Sequence, residues 1–217
     1  MKTLTEAVYR IFPPGGLFDE SVVRTLFNER SKGAQELLLD RALRSGEVLR
    51  LKPGLYILAS EYRKSEIHPY TVAAMLCSPS HVSLETALSY HGLIPEAVYQ
   101  VSSVIVQRRR TFNTPLGVFV FHCVPTRYPR AGVEAIKLDG ECWAYMATPL
   151  RAIADLVYLN RQISWREQGM SYLLESLRIE ESDLQELTFD RCDEMVDSFR
   201  SLRVKAFIKG LRKELRK

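Results

Sequence analysis

No two of the four cysteines, Cys77, Cys123, Cys142 and Cys192, stand close enough for a CxxC pair, which argues against a zinc framework or a dense disulfide scaffold. They read as reduced, mostly buried thiols. No run approaches the ~18 consecutive apolar residues a membrane-spanning helix needs. Residues 1–12 alternate polar and apolar positions where a signal peptide would carry an unbroken apolar segment. A cytoplasmic protein with no membrane partner is the expectation. Catalytic signatures are missing as well: there is no GxxxxGK[ST] phosphate loop, no GxGxxG, no GxSxG elbow and no HExxH. A nucleotidyltransferase needs a Gly-Ser turn followed by two acids one residue apart to hold magnesium near phosphates. Gly169-Met170-Ser171 with Asp183-Leu184-Gln185 has that outline and lacks the second acid. Glu134, Lys137, Asp139 and Glu141 lie close in sequence, but alternation along two short strands would scatter them. His81, Glu85 and His91 lack the spacing of metal ligands and read as capping or packing residues. No catalytic residue, metal or cofactor is expected.

What is present is an ordinary globular composition, 46% hydrophobic and 26% charged in 217 residues, enough for one sizeable domain or two small ones. The formal charge of +4 permits a nucleic-acid partner without requiring one. Its distribution is more informative. Residues 97–133 hold five arginines and no acid, residues 175–197 nine acids against two arginines, and residues 200–217 eight basic residues against Glu214. Such segregation marks contact faces, or an acidic helix packed beside a basic one.

The stretch GEVLRLKPGLYIL, residues 46–58, organises the N-terminal part. Val48, Leu49 and Leu51, then Leu55, Ile57 and Leu58, flank Lys52-Pro53-Gly54, where proline fixes one backbone angle and glycine permits a positive one. That predicts a β-hairpin with Arg50 and Lys52 at or near its tip. Before it, residues 4–12 place Leu4, Ala7, Val8 and Ile11 on one helical face, capped by Thr3 or Thr5, and Pro13-Pro14-Gly15-Gly16 ends that helix. A second helix carries Val22, Val23, Leu26 and Phe27, capped by Asp19 or Ser21. A third, residues 33–44, turns Ala34, Leu38 and Ala42 inward. Three helices followed by a basic ribbon is the order of a winged helix-turn-helix, in which the last helix enters a major groove and the wing lies along phosphates. Lys32, Gln35, Arg41 and Arg44 are the candidate helix contacts, and Arg50 and Lys52 the candidate wing contacts. Glu36 and Asp40 on the same helix would repel phosphate, so a hairpin that merely packs a small α+β domain fits these residues too.

Beyond a polar linker at 61–66, His68-Pro69 opens a helix over 70–76. The segment SHVSLETALSYHGLIPE, residues 80–96, is a helix with Ser83 as its cap, Gly92 at its left-handed end and Pro95 beyond. Residues 101–107, 111–113 with 118–124, and 136–138 with 141–146 alternate as strands joined by tight turns, the last over Asp139-Gly140. In ATPLRAIADLVYL, Thr148 caps and Pro149 opens a helix over 150–159. The hairpin motif, the residue 82–96 motif and this one together resemble the AbiEi family, antitoxins of bacterial phage-defence (abortive infection) toxin-antitoxin systems, over residues 47–159. The resemblance implies a winged-helix domain that represses its own operon and a second domain that opposes a nucleotidyltransferase-like toxin encoded next door. In related sequences Glu-Lys follows the proline. Here Leu150-Arg151 stands there, a departure expected to alter a surface contact.

The fold class expected is therefore α+β: a winged helix-turn-helix over residues 1–60, then a unit over 67–217 with a mixed, mostly antiparallel sheet (101–147) and a helical C-terminal part (148–217). Arg108-Arg109-Arg110 reads as a charged sheet edge that discourages aggregation, or as an anion patch. Residues 165–177 and 184–199 are amphipathic, the second strongly acidic, and residues 202–215 form a basic amphipathic helix. Its Arg203, Lys205, Lys209, Arg212 and Lys213 are the candidate toxin-binding residues, with pairing to the acidic helix as the competing reading. The partners expected are operator DNA, bound as monomer or dimer, and the cognate toxin. A protein-binding antitoxin without DNA binding is the alternative.

Overall fold

The computed structural model describes residues 3–11, 15–95, 99–139 and 142–216. The expected breaks at Pro13-Pro14 and the turn at Gly140 lie outside them. The chain is a mixed α+β structure, with a three-stranded antiparallel sheet near the N-terminus, a six-stranded mixed sheet and C-terminal helices.

Helix α1 (Thr3–Ile11) buries Leu4, Thr5 and Val8. Strand β1 (Leu17–Asp19) follows, and Asp19 caps α2 (Glu20–Leu26) by accepting from the Ser21 and Val22 amides. Ser31 caps α3 (Lys32–Arg44) through the Ala34 amide. The hairpin is β2 (Val48–Lys52) and β3 (Leu55–Leu58), with Gly54 at φ +80° in its turn. β3 is central, paired to β2 and also to β1, where Phe18 faces Tyr56. Strand β1 is only three residues long, too short for alternation to announce it.

The hairpin is buried on both faces, which separates it from a ribbon extended into solvent. Val48, Tyr56 and Leu58 pack with Phe18, Val23 and Ala42 against the N-terminal helices. Leu51, Leu55 and Ile57 pack instead with helix α4 (Pro69–Leu76) and with sheet residues Ile105, Phe119 and Phe121. Four consecutive apolar residues in β3, Leu55-Tyr56-Ile57-Leu58, are what a strand covered on two sides requires. The ribbon is a partition shared by two cores.

The larger sheet runs β6-β7-β5-β4-β9-β8. Its strands are β4 (His81–Val82), β5 (Val101–Ile105), β6 (Arg110–Thr114), β7 (Gly117–Cys123), β8 (Val133–Lys137) and β9 (Trp143–Ala147). β5 with β7 and β4 with β9 are parallel, and the other three pairings are antiparallel. The two-residue β4, unannounced by periodicity, joins the halves. Helices α5 (Leu84–Tyr90), α6 (Pro149–Leu159) and α9 (Leu202–Leu215) share the largest core. Thr148 caps α6 through the Arg151 amide, and Ser201 caps α9.

Two longer helices expected from amphipathicity are broken. Residues 165–177 hold one π-helical turn, Tyr172–Ser176. The acidic stretch divides into α7 (Glu181–Gln185) and α8 (Cys192–Ser198), with Arg191 left-handed between them. Arg203 donates to the carbonyls of Val157, Tyr158, Asn160 and Ile163, closing the C-terminal end of α6. Gly210 lies under the Trp165 indole, where a Cβ would stand 2.3 Å from ring atoms. Among the described residues no helix is long and apolar enough to cross a membrane.

Candidate nucleic-acid interface and a buried polar cluster

The six candidate DNA contacts divide by where their side chains go. The third helix turns Lys32, Glu36, Leu37, Arg41 and Arg44 to solvent. Lys32 pairs with Glu36 at 3.8 Å and Arg44 with Asp40 at 3.0 Å, both one turn apart and strongly exposed on the cationic side. Surface pairs of this kind contribute little, about 0–1 kcal/mol. Gln35 is committed to the turn before its own helix, donating to the Phe27 carbonyl at 2.8 Å and the Arg30 carbonyl at 3.2 Å. Arg50 is exposed, with its guanidinium over the Tyr56 ring. Lys52 turns the other way. Its Nζ donates to the carbonyls of Met75 and Leu76, at 3.1 and 2.7 Å, and so closes the C-terminal end of α4. The apolar pattern around the hairpin tip carries no sign of this, because Met75 near the end of α4 is 23 residues away in sequence.

The basic residues of α9 are partly drawn into the fold. Arg203 serves the end of α6, Lys205 meets Asp197 at 3.3 Å, and Arg212 meets Asp193 at 3.0 Å. The last two partners belong to α8, so the acidic and basic stretches do pair. Lys209 and Lys213 point to solvent.

The middle and last sequence motifs meet in a cluster that sequence reading missed. Arg151, expected at the surface, is wholly buried. Its Nε donates to Asp155 Oδ1 at 2.9 Å, one helical turn on, and its Nη1 to the Ala131 carbonyl at 2.6 Å. The backbone closes over it at Gly132, φ +71°, where a Cβ would sit 3.0 Å from both Arg151 Cβ and Met195 Cγ. Asp155, also wholly buried, accepts from Ser83 Oγ at 2.7 Å. His81 Nε2 stands 3.5 Å from Asp155 Oδ2 without hydrogen-bond geometry. Ser83 occupies the cap position of α5, yet its hydroxyl serves Asp155 rather than the helix. The next residue, Leu84, is held at φ +60°, a strained conformation for a branched side chain.

Electrostatics follow from this packing. Burial works to raise the Asp155 pKa, but the Arg151 guanidinium, His81 and the Ser83 hydroxyl outweigh it and hold the carboxyl below its ordinary range. Burial lowers the His81 pKa despite the carboxylate beside it, so the ring is held neutral. Ser, His and Asp together suggest a nucleophilic triad, but the hydroxyl donates directly to the carboxylate instead of to the imidazole, and Arg151 engages the acid. The arrangement welds α6 to the β4–α5 turn.

Other chemical candidates stay apart. His91 Nε2 lies 2.9 Å from the Ala147 carbonyl and Glu85 faces solvent. Among the described residues no three His, Cys, Asp or Glu side chains gather as a metal site. The chain matches no family model and no curated protein.

Proposed function

We propose that this protein is the antitoxin of a toxin-antitoxin operon and binds the DNA upstream of that operon to repress it, with a nucleotidyltransferase-like toxin as its second partner. The observation that carries the DNA half is the order helix, strand, helix, helix, strand, strand, with α3 presenting its outer face to solvent. That is the order of a winged helix-turn-helix, whose third helix enters the major groove. Lys32, Arg41 and Arg44 on α3 and Arg50 on the ribbon are the cations that reach DNA. Glu36 and Asp40 hold two of them by weak exposed pairs, which phosphates displace at little cost. Gln35 and Lys52 act inside the fold.

A gel-shift assay with the protein's own upstream DNA tests this. With three or four phosphate contacts, log affinity falls against log salt with a slope of about −3 to −4 per copy. Arg44→Ala and Arg50→Ala each make the slope shallower by about one. No shift at low salt refutes DNA binding, and an unchanged slope in both variants refutes contact through α3 and the ribbon.

The two-sided burial of the hairpin favours a second reading, a protein-binding antitoxin without DNA contact, because the ribbon then offers phosphates Arg50 alone. Neutralisation of the toxin in cells by a protein that shifts no DNA decides for it. For the toxin surface we assign Lys209 and Lys213, the outward cations of α9. Removing the helix would be a poor test, since its Val204, Phe207, Ile208 and Leu211 are core residues. Reversing both charges to Glu is the better one. Undiminished neutralisation would exclude that surface.

A further inference from the structure

Beside the buried Arg151–Asp155 pair lies a cleft of about 40 Å³, open at one side. Its lining includes Ser80, His81, Val104, Thr126, Arg130 and Arg151, and no described residue of that lining is acidic. Arg151 Nε and Nη1 are bonded and its guanidinium lies over the Phe199 ring, but its buried Nη2 has no hydrogen-bond partner, and the buried Thr126 Oγ1 likewise has none. A buried guanidinium N–H left open is costly, so such a group marks a place where something binds. At the mouth, exposed Arg130 lays its guanidinium 3.4 Å from the Tyr145 ring centroid, which fixes its plane and leaves its N–H edge available.

We propose that this cleft binds a phosphoryl group, with Arg151 Nη2 and Thr126 Oγ1 donating to oxygens on its floor and Arg130 donating to an oxygen at its mouth. Space for a few water-sized groups admits two oxygens of a tetrahedral anion and leaves the remainder outside. Two guanidinium groups approach from floor and rim. A tetrahedral anion accepts from both directions, whereas a carboxylate offers oxygens in a single plane. The cleft is built by the second sheet and α6, so this site is independent of DNA binding through α3. Its ligand is either free phosphate or the phosphate end of a nucleotide or nucleic acid.

The test titrates inorganic phosphate into the full chain at constant ionic strength, with chloride as the reference anion, by calorimetry. Saturable one-to-one binding is expected. Arg130→Ala should weaken it about tenfold and Thr126→Val severalfold. Arg130→Ala changes the cleft's rim and Thr126→Val its floor, and unfolding midpoints measured without phosphate check that each still folds. A short oligonucleotide is compared with and without a 5′-phosphate. Tighter binding of the phosphorylated oligonucleotide than of the unphosphorylated one identifies a phosphomonoester end as the ligand, and equal binding of the two identifies the free ion. Either result supports the site. No saturation beyond chloride, or parent-like phosphate affinity in both variants, overturns it and leaves the cleft to water.

Discussion

Asp155 is the residue on which the middle of the molecule turns, since it holds Arg151, receives the Ser83 hydroxyl and faces His81, all of them buried. Removing one partner of a buried ion pair leaves an uncompensated charge, which costs about 3–5 kcal/mol. Asp155→Asn should therefore lose about that much stability in urea unfolding, and Asp155→Leu with Arg151→Met should recover much of it. A double variant no better than the single would show that geometry rather than charge is at stake. The histidines add a pH dependence. Burial is the first cause of the lowered pKa at His68, His81 and His122. For a histidine whose folded pKa lies below its unfolded value, the unfolded chain takes up the proton first, so stability is full above about pH 6.5 and falls as pH drops from there towards the folded pKa. Denaturation midpoints measured from pH 7.5 to pH 5 should fall, less steeply in His81→Gln, and a flat profile in the parent would contradict this. In the sequence these residues read as a capping serine, a packing histidine and a surface arginine. Nothing in their spacing says that residues 81–83 and 151–155 touch, because 72 positions separate Ser83 from Asp155.

At the scale of elements, capping chemistry was legible and lateral contact was not. Thr148 before Pro149, a cap at Asp19 and the Pro-Gly turn of the hairpin were all visible, since each rests on residues within a few positions of one another. In the sequence Arg203 and Lys52 look like contact residues, because a long cation reads alike whether it meets solvent or the carbonyl end of a distant helix. The close approach of Trp165 to Gly210 belongs to the same class of event. Gly210→Ala adds a methyl group 2.3 Å from the indole, and overpacking of this kind costs about 1–3 kcal/mol, outweighing the alanine's better helix propensity of about 1 kcal/mol. Thermal unfolding should show a lower midpoint for Gly210→Ala. Pairing it with Trp165→Leu should recover part of the loss, and an unaltered midpoint in the single variant would mean the indole moves aside freely.

For the molecule as a whole, the hairpin decides how independent the first 60 residues are. Leu51, Leu55 and Ile57 belong to the core that α4 and the large sheet complete. A fragment of residues 1–60 would expose that face to water, and so small a unit has little stability to lose. We expect it to aggregate or to lack the dispersed amide spectrum of a folded domain. A sharp, cooperative unfolding transition from the isolated fragment would show that its own core suffices. The segregated charge also resolves only at this scale. Asp193 and Asp197 meet Arg212 and Lys205 between α8 and α9, so the acidic and basic stretches partly neutralise each other within the molecule, while Lys209 and Lys213 on the outer side of α9 stay exposed.

Local order in the chain determined the caps at Asp19 and Thr148, the turn at Pro53-Gly54, most strand positions and the mixed α+β class, because capping side chains, hydrophobic alternation, proline and glycine act over a handful of residues. Tertiary structure alone decided that the ribbon has two buried faces, that Arg151 is enclosed, and which cations keep their charge for something outside. Those outcomes depend on which surfaces come together across tens of residues. A periodic pattern specifies that a face will be covered and carries no information about what covers it.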